Sequence, residues 1–455
     1  MDRREFLQVA GVAAAGGALG LRTPGEPAPL GRSFKLEIGP VQAELAPGVT
    51  IATTGYNGQV PGPLLRMREG EPVTIDVTNR TSHAEIVHWH GLHIPSALDG
   101  ASEEGSPMIP PGQPLRYHFV PRPAGTRWYH THTMAGRDLS LGTYTGQFGF
   151  LYIDPAREPG RDPGGYDQEI FLAAHYWEPS LVSMQPDDVN CTEVAYRYAT
   201  INGKMLGAGE PVRVRKGQRV LFRILNASAT ENILLALPRH RFNVVALDGN
   251  PVPHPAAVDV LSLGVAERVD VLVEMTEPGK WILGSLSASE REKGLGIVVE
   301  YEGAVGEPRW EPPQAMNWHY GLFSAPAPGP REPAEPVTML FEMKAVPMGQ
   351  PNLWTIDGKS FPEVPAMRVE QGRRYRLRFV NASGCAHPVH LHRHSFELKR
   401  VAEAPMSGIL KDTVLLDRYG VIDVDLVANQ PGPTLFHCHQ QLHMDFGFMR
   451  MLEYA

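Results

Sequence analysis

Ten of the 18 histidines in this chain fall in four short runs. His88 and His90 lie in VHWHG, and His130 and His132 in WYHTHT. His387, His390 and His392 lie in HPVHLH, and His437, His439 and His443 in HCHQQLH. On an extended strand alternate side chains share a face, so each His-x-His presents two imidazoles to one side. Four such strands would converge eight imidazoles on one place. An imidazole-rich site suits copper, zinc, iron or nickel, and suits calcium or magnesium poorly. The HCH run selects further. His437 and His439 must face one side of their strand while Cys438 faces the other, so one strand would touch two metal sites. Cys438, His443 and the distant His387 make a His₂Cys set, the blue-copper electron-transfer arrangement, and the remaining eight histidines form the second site. A lone histidine is ordinarily structural, and His83, His118, His175, His240, His254 and His319 are read that way.

The elements that would carry these runs repeat three times. An Asx-Gly turn occurs at Asn57-Gly58, Asn202-Gly203 and Asp357-Gly358. Each is followed by a glycine that opens a strand (Gly70, Gly217, Gly372), and each strand ends at an asparagine: Asn79 in VTIDVTN, Asn226 in VLFRILN, Asn381 in YRLRFVN. The last alternates cleanly, with Tyr375, Leu377 and Phe379 on one face and Arg374, Arg376 and Arg378 on the other. Asn suits the turn that ends such a strand. The spacing is that of a whole domain rather than a solenoid repeat. It predicts an all-β chain of three related antiparallel β-sandwiches, over 31–155, 166–303 and 337–455. Two runs of histidines fall in the first domain and two in the third. The middle domain has no equivalent, and after Asn226 it reads ENILLALPRHRF. The breaks fall at Pro155–Gly165 and at the Pro-rich stretch 304–336, which is long for a structureless connection and is expected to wrap over a neighbouring domain.

Composition agrees. With 455 residues the chain is long enough for two or three domains. It is 42% hydrophobic and 20% charged, and its 46 Gly and 42 Pro favour a turn-rich β architecture. A formal net charge of −8 with no basic run argues against nucleic acid as a partner. Residues 1–30 differ from the rest: Arg3-Arg4, then Phe6-Leu7, then a soft apolar run from Val9 to Leu21. That run is too short and too weak to span a bilayer. Its order reads as a twin-arginine export signal, which places the mature protein in the periplasm or outside the cell. The three cysteines, Cys191, Cys385 and Cys438, are no disulfide framework. Cys191 and Cys385 are expected as two buried thiols.

The four histidine runs resemble those of the multicopper oxidases, the family of laccase, bilirubin oxidase, ascorbate oxidase and bacterial cuprous oxidases. The resemblance spans the chain from about Phe34 to its end. It implies three cupredoxin-like Greek-key domains and four copper ions. Type 1 copper would be held by His387, Cys438 and His443, and type 2 by His88 and His390. The type 3 pair would be held by His90, His130, His132, His392, His437 and His439. A small-molecule reductant would give single electrons to type 1 copper near the surface, at the edge of His443. Electrons would cross Cys438 into His437 and His439, and dioxygen would be reduced to water. Asp99, in SALDG nine residues after His90, stands where the family carries an acid beside the trinuclear site. The acid that several bacterial members place just after the last type 1 histidine is replaced by Met444, with Asp445 beyond. Phe448, ten residues after Cys438 and preceded by Gly447, stands at the axial position, where many bacterial members have Met. Phenylalanine cannot ligate, so a three-coordinate copper of raised potential is expected, unless the register slips by one and Met449 ligates.

The 16 methionines are scattered, with Met339, Met343 and Met348 the nearest approach to a cluster. Cuprous oxidases of the family this chain resembles often carry a methionine-rich insert over the type 1 site, so the resemblance implies a laccase-like activity on phenols and aromatic amines over cuprous or ferrous oxidation. A non-catalytic copper carrier or envelope protein is the reading from a different class. Three domains suggest a self-sufficient monomer.

Overall fold

The computed structural model describes residues 32–156, 165–184, 191–326, 336–344 and 350–455. The twin-arginine segment and Met348 lie outside the described residues. Among those described, no helix is long and apolar enough to cross a membrane.

The three Asx-Gly turns adopt the same geometry. Asn57 and Gly58 have φ of 53° and 70°, Asn202 and Gly203 of 52° and 73°, and Asp357 and Gly358 of 53° and 77°. Positive φ at both central residues is the type I′ signature, which Asx-Gly supplies at least steric cost. The terminal asparagines repeat as well. Asn79 Nδ2 donates to the carbonyls of His83 and Ile109, Asn226 Nδ2 to those of Glu231 and Leu263, and Asn381 Nδ2 to those of Cys385 and Asp417. Each Asn Oδ1 accepts from the backbone N–H two residues on, at Thr81, Ser228 and Ser383. One amide therefore ties a strand end to the loop beyond it and to a second segment, three times over.

Each unit is a two-sheet sandwich. The first has a four-stranded sheet ordered Val49–Tyr56, Ser33–Ala46, Val73–Asn79, Pro114–Phe119, facing a second ordered Leu65–Arg68, Phe148–Asp154, Gly125–Thr131, Val87–His88. The middle unit has a six-stranded sheet built on Gln168–Met184 and Arg219–Asn226. It faces one ordered Val212–Val214, Gly296–Tyr301, Lys280–Ser285, Ile233–Ala236, Leu261–Leu263. The third pairs a seven-stranded sheet with one ordered Met367–Val369, Met449–Tyr454, Thr434–Cys438, His387–Leu391, Thr413–Leu416. In each unit the opening strand runs parallel to the Asn-terminated one, for example Lys35↔Asp76 and Met339↔Phe379. Leu377 and Phe379 face the core, whereas Arg376 and Arg378 make paired hydrogen bonds to Asp425 and Asp423 across the sheet. These are cupredoxin-like sandwiches.

Residues 304–326 run over the middle and third units. Arg309 bridges Trp281, Tyr320 donates to Glu267, Phe323 is fully buried, and the Ala325 N–H reaches the Ser407 carbonyl.

Candidate metal centre

The two sheets that carry histidine runs bring them to their strand ends. His88 closes Val87–His88 and His130 lies in Gly125–Thr131; His390 lies in His387–Leu391 and His437 in Thr434–Cys438. Their partners His90, His132, His392 and His439 fall just past the ladders. Each pair therefore has one ring on a strand and one in the turn that follows, rather than two along one strand as the alternation predicts. The shared direction survives because the turns fold back over the same opening.

Segments from the two ends of the chain interleave there. His88 stacks on His392 with ring centroids 4.0 Å apart, and His90 on His390 at 3.8 Å. His132 lies 5.2 Å from His437, and His130 5.1 Å from His439. All eight rings are buried. In six of them one ring nitrogen is tied to protein. His88, His130, His390 and His437 are held through Nδ1 by the carbonyls of Asp99, Thr131, Asp412 and Cys438, at 2.8–2.9 Å. His392 Nδ1 lies 2.8 Å from Asp99 Oδ2, and His90 Nε2 lies 3.1 Å from Asp412 Oδ1. The opposite nitrogens of His88, His90, His130 and His390 are buried without a hydrogen-bond partner, as are Nε2 of His439 and both nitrogens of His132. Buried polar atoms ordinarily have partners, so this many unpartnered nitrogens in one nest fit the binding of a Lewis acid. Burial also holds His90, His130, His392, His437 and His439 well below the usual histidine range and lowers His132 to about 4. Those six rings are thus held in the neutral, metal-binding form.

Cys438 faces away from its two neighbours. Its Sγ lies 3.7 Å from both His387 Nδ1 and His443 Nδ1, which are 3.2 Å apart. Burial pushes this thiol up, so only a bound cation would make it a thiolate there. Trp354 packs 4.7 Å from His387 and 4.1 Å from His443, and the Phe448 ring lies 4.9 Å from His387. Phe448 shares the core cluster that contains Cys438. Met449 points into a separate cluster with Ala101, Leu435 and Met444.

Three models described as multicopper oxidase match the chain, over residues 37–158, 177–300 and 331–455. The multicopper oxidase MmcO of Mycobacterium tuberculosis is 30% identical over 90% of this chain and 84% of its own length. The chain belongs to the multicopper oxidase family. It is also 26% identical to the bilirubin oxidase of Albifimbria verrucaria, over 91% of this chain and 75% of that one. A crystal structure of a multi-copper oxidase from Pseudomonas thermotolerans superposes with a TM-score of 0.71 at 27% identity, covering 93% of this chain and 99% of the other. Membership implies copper, and the donors fit it. Imidazole and thiolate are the ligand types copper selects, and the open nitrogens and Sγ lie in groups within 4.8 Å of one another, His387, Cys438 and His443 among them.

Asp99 is fully buried, with Oδ2 3.1 Å from His88 Nδ1 as well as near His392, and its Oδ1 has no partner. Met444 is buried in an apolar cluster. Asp445 turns away to accept the N–H groups of Ala135 and Gly136 and the Gln441 amide. Sequence reasoning missed three acids in this multicopper oxidase. Asp412 holds His90 and His390. Glu104 lies 3.5 Å from His392 and accepts the Leu435 N–H; burial, then Asp99, pushes its carboxyl well above the usual range. Glu193, from the middle domain, reaches 3.7 Å from His443 Nε2. None has a local signal in the sequence. His443 is 1% exposed, with Glu193 against its Nε2 edge. One expectation is corrected. Cys385 is a half-buried thiol, 3.5 Å from that same carboxylate, rather than a buried one.

Proposed function

We propose that this oxidase withdraws single electrons from a small reductant and reduces dioxygen to water with four coppers. One observation carries the reading: His437 and His439 enter the eight-imidazole nest while Cys438, between them, enters the His387–His443 pair. His387, Cys438 and His443 would hold type 1 copper. By the resemblance, His88 and His390 would hold type 2, and His90, His130, His132, His392, His437 and His439 the type 3 pair. Bound copper supplies one-electron acceptance at the thiolate and four-electron delivery to dioxygen at the nest. The chain's own part is a covalent path of a few bonds from Sγ through the backbone to two imidazoles. Asp99 would hold a proton at its unpartnered Oδ1 beside His88 and His392. Phe448 and Trp354 pack against Cys438, His387 and His443, and a copper held there would gain no donor from Phe448, which would disfavour its oxidised form and raise its potential. The protein would work as an exported monomer.

We propose phenols and aromatic amines as the reductants, in a laccase-like activity, because no dense run of methionines marks the sequence. The roof over His443 favours a second reading. A carboxylate with a thiol beside it, above a buried imidazole edge, suits a small cation such as cuprous or ferrous ion better than a ring. Dioxygen uptake by the copper-loaded protein separates the readings. Faster turnover of a phenolic dye supports the first, efficient turnover of cuprous ion alone the second, and no uptake at full copper loading would leave a carrier. A copper count with an absorption and paramagnetic resonance spectrum tests the four-ion assignment directly.

A further inference from the structure

The ten clustered histidines all come from the outer domains, yet the middle domain grips Asp412 of the third domain, which touches the nest. Asp412, fully buried, faces both halves of the nest. Its Oδ1 lies 3.1 Å from His90 Nε2 and its backbone carbonyl 2.8 Å from His390 Nδ1, and these two rings stack on each other. The consequence for His90 is specific. His88, His130 and His390 are held through Nδ1 and open through Nε2, and His392 and His437 are likewise held through Nδ1, whereas His90 is held through Nε2, with Thr413 Oγ1 3.2 Å away as a further contact, and open through Nδ1. Asp412 thereby selects which nitrogen His90 offers.

A carboxylate can do this only if it is itself fixed. Arg268, at the start of the middle-domain strand Arg268–Glu274, donates from both terminal nitrogens to Asp412, at 2.7 Å to Oδ1 and 2.6 Å to Oδ2. The same guanidinium donates to the Ala266 carbonyl. Asp248, also of the middle domain, accepts the backbone N–H groups of Asp412 and Thr413 and pairs with Lys411 at 3.0 Å. Arg127 of the first domain donates to the Asp248 carbonyl and reaches Asp412 Oδ2 at 3.4 Å. The residue after His90 is shaped around this pair. Gly91 has φ +83°, and a Cβ there would sit 2.6 Å from Asp412 Oδ2 and 2.9 Å from Arg268 Nη2. Buried ion pairs are poor stabilisers compared with apolar packing, so their presence here is better explained by the orientation they impose. A forked guanidinium fixes a carboxylate's plane, which an ammonium does not.

We propose that Arg268 is a positioning residue for the trinuclear site: through its two-pronged grip on Asp412 it sets the orientation of His90 and His390. The proposal rests on the copper reading above. The wild-type protein is therefore loaded first, and failure to fill the nest would count against that reading rather than this one. Arg268→Gln and Arg268→Lys are then compared by copper count, by paramagnetic resonance of the nest and by the thiolate–copper absorption at Cys438. Copper affinity at the nest should fall ~10–100-fold in R268Q. The nest signal should change in both variants, with lysine giving no full rescue, while the Cys438 absorption stays. Adding Asp412→Asn to R268Q should cost little more. Unchanged nest signals in R268K and R268Q would overturn the proposal. So would a parallel loss of both signals with the melting temperature, which marks a merely structural role. Should R268Q not fold, R268K alone decides by the same readouts.

Discussion

The strand Lys280–Ser285 of the middle domain and Thr434–Cys438 of the third occupy the same place in their sheets, yet by register one ends in Gly284 and Ser285 where the other ends in His437 and Cys438. The neighbouring strands repeat the contrast: Ile233 and Ala236 in the middle domain, His387 and His390 in the third. All of these residues are buried. The same fold positions thus hold small or apolar residues in one copy and metal-binding donors in another. The difference lies in what the far side of each position meets. In the middle domain Ile233 and Leu283 join the continuous core. In the outer domains the strand ends face each other and leave imidazoles with no partner. The middle domain acts instead through long polar side chains at its rim, Arg268, Asp248 and Glu193.

The sharpest test of that contrast removes the thiol. Cys438→Ser should abolish the thiolate–copper absorption and drop dioxygen uptake to background, while the resonance of the nest persists. Leu283→Ala in the middle domain should do the reverse, lowering stability by ~2–5 kcal/mol in thermal or denaturant melts with copper content unchanged. His437→Ala should lose copper from the nest with a smaller change in the melting of the metal-free protein. Equal loss of stability in these two variants would erase the distinction between packing and donor positions. Asp99→Asn should slow dioxygen reduction ~10–100-fold while the rate at which reductant bleaches the type 1 band is unaffected. Phe448→Met should lower the type 1 potential in a redox titration. The smallest effect lies in the turn after Asn226. Burial, with Glu290 nearby, raises Glu231 to about 7. The folded form then holds a proton that the unfolded chain releases earlier, so stability falls as pH rises from about 4.5 to 7 and levels off above. Glu231→Gln should remove that fall, a gain on the order of 1 kcal/mol at pH 8 and little at pH 4.

The sandwich fold was legible because its markers are local. Asx-Gly turns, opening glycines and strand-ending asparagines are each set by the backbone geometry of a few residues. The donor histidines were legible because they come in pairs at a spacing of two. Two things were not. The ladders stop between the members of each pair, which depends on how the turns close rather than on alternation. The acids that orient the rings also escaped notice, because Asp412, Glu104 and Glu193 reach the sites from separate loops and strands, and only tertiary packing brings them near. The roof on His443 was hidden for the same reason: it comes from the middle domain, where no histidine run drew attention.

His90 and Asp412 are neighbours in space and 322 positions apart in the chain. A nascent polypeptide released early would therefore carry half the imidazoles and none of the thiolate, with no enclosure to retain a redox-active ion. Loading must wait until the last strands dock against the first domain. The topology thus delays the hazardous chemistry of copper with oxygen until the third domain has been made.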